Sequence, residues 1–123
     1  MQPEHTGLSS TKLRDFNAVK AGFYILRKLN SENPVLTSLS VTTLRRIHAD
    51  GTPMEGRKPE RAAIRAAMQF LIQEKFITET ALEVPGQSKS NTVFEYSITD
   101  AGRAQLAQYE QIGLENIVPV RKR

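Results

Sequence analysis

The segment from Pro59 to Glu74 constrains the fold more than any other. Ile64, Ala67, Met68 and Leu71 recur at three- and four-residue steps with Ala63 on their flank, so this Ala-rich stretch predicts a helix with one apolar stripe to cover. Pro59 suits the first helical turn, where its missing N–H would have no partner in any case. A turn of about 100° per residue places Lys58, Arg61, Arg65 and Gln69 together on the opposite side, with Ala62 and Ala66 beside them leaving that surface unobstructed. Directly after it, Ile77–Val84 is rich in Thr and branched apolar residues and predicts a strand. Residues 85–91 form a polar loop, and Thr92–Ile98 predicts a second strand with Phe94, Tyr96 and Ile98 on one face. The pair makes an antiparallel hairpin.

Upstream, Phe16, Val19, Phe23, Leu26 and Leu29 define another helix stripe, capped by Asp15 and stopped by Asn30–Pro34. Val35–Leu39 reads as an extended stretch or a first small strand. Ser40 is placed to cap a short second helix that turns Val41, Leu44 and Ile47 inward and Arg45 and Arg46 outward. Turn signals at Asp50–Pro53 and Glu55-Gly56 then make a long connection to Pro59. Downstream, Thr99 caps a final helix with Asp100 in its first turn, Leu106 and Tyr109 inward, and Gly113 at its end. The expected organisation is a flexible lead-in at 1–12, one domain at 13–112 and a basic tail at 113–123 ending in Arg121-Lys122-Arg123.

Composition narrows the chemistry. The 123 residues include no Cys, which excludes disulfides, thiolate metal sites and Cys nucleophiles. His5 and His48 lie apart with no second ligand, and there is neither a Gly-rich phosphate loop nor a nucleophile elbow. The expectation is therefore no enzyme, no metal and no cofactor. No apolar run is long enough to span a bilayer and Met1–Ser10 is too polar for a secretory signal, so a soluble cytoplasmic protein is expected. The net charge of +4 and pI of about 9.6 suit a nucleic-acid partner, with the placement of the cations as the deciding point.

Two stretches carry a resemblance. Ala67–Ile77 resembles the end of a recognition helix running into the first strand of a wing. Phe94–Leu106 resembles the second wing strand and the following helix, with Tyr96, Ile98, Thr99 and Gly102 at the aromatic, apolar, Thr and Gly positions of that pattern. The chain is thus similar to the winged helix-turn-helix superfamily, especially its MarR/PadR-like regulators. The resemblance implies an α+β, mostly helical fold with a two- or three-stranded antiparallel wing sheet. Lys75 departs from the pattern, which commonly has Gly at a turn needing positive φ. A side chain there costs on the order of 1 kcal/mol and predicts a frayed or reshaped helix end.

A helix fits the major groove, where Arg can bond guanine O6 and N7 together. Arg61 and Arg65 are accordingly the expected base readers, with Gln69 in reach of an adenine edge. Arg57, Lys58, Arg45 and Arg46 are expected at phosphates, and Lys89 at the wing tip. The expected function is a sequence-specific regulator of transcription, a repressor, bound to double-stranded DNA. Tyr24 and Tyr109 are placed to extend beyond a monomer core and predict a homodimer on half-sites about one helical turn apart. The rival expectation is a protein-interaction module of the same fold, gripping a polymerase subunit or a phage-host target.

Overall fold

The computed structural model describes residues 16–82 and 92–113. Three helices, α1 (Phe16–Leu29), α2 (Arg61–Gln73) and α3 (Asp100–Ile112), pack with a two-stranded antiparallel sheet of β1 (Ile77–Leu82) and β2 (Val93–Ile98) in an α+β arrangement. The expected lead-in, the loop tip with Lys89 and the tail from Leu114 lie outside the described residues.

The α1 helix is the hub. Val19, Phe23, Leu26 and Leu29 are buried as the periodicity requires, and Ala18, Ala21, Tyr24 and Ile25 are buried with them. A helix apolar on one stripe becomes covered more widely when several elements converge on it, and α1 contacts α2, α3 and β2. Phe23 stacks on Tyr24 with ring centroids 6.1 Å apart and meets Tyr109 of α3 edge-on. Tyr24 and Tyr109 are only 2% and 1% exposed, so both belong to the core of a single chain and neither reaches out toward a twin.

Strand register runs from Ile77 opposite Ile98 to Leu82 opposite Val93. On the free edge of β2, Thr37 bridges Glu95, the Tyr96 amide donates to the Leu36 carbonyl at 3.0 Å and the Ser38 amide donates to Phe94 at 2.8 Å. The extended stretch expected at 35–39 is therefore a minimal third strand.

The short second helix expected over Ser40–Ile47 does not form. A single 3-10 turn at Val41–Thr43 is followed by Leu44 with ψ 134°, an extended conformation. Val41, Thr42, Thr43 and Ile47 are β-branched and poor helix formers, and so short a segment does not offset the cost of nucleation. Ser40 turns its hydroxyl back to accept from the Thr37 amide at 3.0 Å instead of capping forward. Val41, Leu44 and Ile47 are nevertheless all buried, because a 3-10 turn followed by extended chain turns the same three residues inward. The chain then folds on itself. Ile47 bridges Pro53, the Met54 amide donates to the Arg46 carbonyl, and the His48 amide donates to Thr52. Asp50 closes this small hairpin by accepting from the Thr52 amide and hydroxyl, which together hold its carboxyl below the usual range.

The end of α2 is closed rather than frayed. Lys75 adopts φ 64°, its amide donates to Ile72 at 3.1 Å and the Phe76 amide donates to Leu71 at 2.9 Å. These two bonds make a Schellman motif, and Phe76 packs edge-on against Phe70. The turn is secured from the other side by Thr99, whose hydroxyl bonds the Lys75 and Phe76 carbonyls and accepts from the Gly102 amide at the start of α3.

Candidate nucleic-acid interface

Helix α2 has two chemically opposed sides. Ala63, Ile64, Ala67, Met68, Phe70 and Leu71 are buried, while Arg61, Ala62, Arg65, Gln69 and Gln73 are exposed. The helix contains no Asp or Glu, so nothing on its own backbone neutralises its two guanidinium groups. Arg61, Arg65 and Gln69 follow one another at four-residue spacing and share the outer surface, as expected.

Lys58 is not on that surface. The helix begins at Arg61, with Glu60 in the N-cap position at φ −72° and ψ 152°, so Lys58, Pro59 and Glu60 precede it. Proline disfavours helical geometry in the residue before it, which keeps Lys58 extended. Its side chain and that of Arg57 are exposed beside the helix entrance instead of forming the first step of the outer row.

Arg45 and Arg46 part company because no helix holds them on one side. Arg45 is exposed. Arg46 folds inward, bonding the Glu55 carbonyl and lying against Gly56, with its Nε buried and unpartnered. It also neighbours the Tyr24 hydroxyl, whose pKa is raised by burial while the Arg46 and Arg27 cations pull it down.

Arg46 thereby contributes to a cleft of about 440 Å³ that was not legible from the sequence. Lys20 and Tyr24 of α1 form one wall, and Arg57 through Glu60 form the other. The available signal was the spacing of Lys20 and Tyr24, one helical turn apart on α1 and so on one face. The approach of residues 57–60 to that face depended on the path of the preceding loop.

That path is fastened by Arg27. Its Nη1 donates to the Ile47 carbonyl at 2.6 Å, its guanidinium lies 4.2 Å from the Phe23 ring centroid, and its Nε meets Glu110 of α3 at 3.4 Å. One half-buried cation thus ties the 44–60 segment to two helices. His48 is exposed, and no group of His, Cys, Asp or Glu able to hold a metal occurs among the described residues. Among those residues, no helix is long and apolar enough to cross a membrane. No family model, curated protein or solved structure matches the chain.

Proposed function

We propose that the chain is a winged-helix regulator of transcription that binds double-stranded DNA, with α2 as the reading helix and the β1–β2 hairpin as the wing. The observation that carries this reading is the outer row of Arg61, Arg65 and Gln69 on a helix devoid of acids, immediately followed by the hairpin. In this reading Arg61 and Arg65 meet guanine edges, Gln69 meets an adenine edge or a phosphate, and Arg45 and Arg57 meet the backbone. In this reading the Val41–Thr43 turn, which contacts α2, and the buried Leu44 and Ile47 take over the supporting role of the missing helix. A cytoplasmic location, repression and a homodimer belong to the same proposal.

Selection of bound duplexes from a random library supplies the operator, and affinities of Arg61→Ala and Arg65→Ala on it supply the test. Each substitution is expected to cost roughly 1–3 kcal/mol and to relax preference at one base pair. Unchanged affinity and unchanged preference in both variants would remove the proposed reading surface. The second reading, a protein-gripping module, draws on Leu39 and Val35, which are 72% and 53% exposed beside the bridge to β2. Binding to random duplex that is negligible even at low salt would favour it, since a DNA-binding surface gains affinity steeply as salt falls.

A further inference from the structure

The cleft between α1 and the entrance to α2 is lined mainly by cations. Four cationic side chains line it, Lys20, Arg46, Arg57 and Lys58, against the single carboxylate of Glu60. They come from three separate parts of the chain, so their convergence is a product of the fold and not of a charge run. Like charges gathered around one concavity repel, and that arrangement is relieved by an anion between them. Arg46, whose Nη2 bonds the Glu55 carbonyl, brings in addition a buried Nε without a hydrogen-bond partner.

The entrance to α2 adds a second attraction of the same sign. Glu60 makes no side-chain cap and the first turn holds no acid, so the amides opening this helix are not satisfied by a side chain. Such amides and the helix dipole favour an anion at this end. Tyr24 and Pro59 supply apolar surface between the cations. The volume of about 440 Å³ falls within the range of small-ligand sites, about 300–1,000 Å³, and exceeds what a bare oxyanion occupies.

We infer that this cleft binds a phosphate group. Lys58 and Arg57 take the exposed oxygens, while Arg46 and Lys20 close the inner side. A phosphorylated small molecule and a backbone phosphate of DNA both present this chemistry, and the inference stands whether or not α2 reads bases. Inorganic pyrophosphate is the probe, titrated into the full chain at low salt and followed by calorimetry and by amide shifts in ¹H–¹⁵N spectra. Saturable binding is expected, with the shifts concentrated at 57–63 and around Tyr24. A Lys58→Gln/Arg57→Gln double variant, altered only at exposed positions, is expected to weaken it about tenfold or more. Arg46→Gln tests the inner side separately. Displacement of pyrophosphate by duplex DNA would identify the backbone as the source, and undiminished binding beside duplex would identify a free phosphorylated molecule. Absence of saturable shifts at about 10 mM pyrophosphate, or binding that the double variant leaves intact, would overturn the inference.

Discussion

Replacing Lys75 by Gly is expected to stabilise the protein. Lys75 sits at φ 64°, a region that costs an L-residue with a side chain about 1–2 kcal/mol. The turn keeps it there because the Schellman bonds to Leu71 and Ile72, the Phe70–Phe76 contact and the Thr99 hydroxyl all require that geometry. Glycine removes the steric cost but gives the unfolded chain more freedom, worth about 0.4–1 kcal/mol in the opposite sense. The balance is a gain of about 0.5–1 kcal/mol. With a urea m-value of roughly 1–2 kcal/mol/M for a protein of this size, the midpoint rises by about 0.5 M at unchanged slope. Far-UV circular dichroism during urea unfolding reads this directly. Lys75→Val, β-branched at the same φ, is expected to shift the midpoint down by a similar amount. A Gly variant with an unchanged or lower midpoint would refute the claim that this position is strained.

At Gly102 an added methyl would run into the Phe76 carbonyl and approach Ile98 Cγ1 to 2.8 Å, so Gly102→Ala is expected to lower stability by about 1–2 kcal/mol despite the better helix propensity of Ala, read as a drop in Tm. Arg27→Met, which strips the Ile47 carbonyl of its donor, is expected to cost roughly 1–3 kcal/mol in urea unfolding, whereas Glu110→Gln, across a longer and partly exposed contact, costs under about 0.5 kcal/mol; equal costs would contradict the anchoring role. Burial and the neighbouring Glu79 raise the Tyr96 phenol from 10.0 to about 12. The unfolded chain therefore releases that proton first, and the contribution of Tyr96 to stability is complete below pH 10 and lost as pH rises toward 12. Tyr96→Phe is expected to flatten the alkaline fall in stability measured by denaturant midpoints, and an unchanged slope would contradict it.

Much of the architecture was written in local pattern. The hairpin, the stripe of α2 and the Thr99 cap each depend on neighbours a few residues away, and each occurs where the residues place it, whereas the end of α2 closes over a strained Lys75 instead of fraying. The segment from Ser40 to Ile47 was less transparent. Three-residue spacing of apolar side chains is compatible with an α-helix and equally with a 3-10 turn leading into extended chain. Lys58 was misplaced for a related reason: continuing the helical wheel backward through Pro59 ignores the extended geometry that proline imposes on its predecessor.

What the amino-acid order determined by itself is which side chains go inward and where most regular elements begin and end, because burial periodicity, capping and turn chemistry act over a few residues. Tertiary structure alone decided that Arg46 turns in while Arg45 stays out, that Tyr24 fills the core, and that Lys20 faces residues 57–60 across a cleft. Those outcomes depend on where the 44–60 segment lies. Its course is settled by partners far away in sequence, the Arg27 guanidinium on the Ile47 carbonyl above all, and no local pattern specifies such a contact.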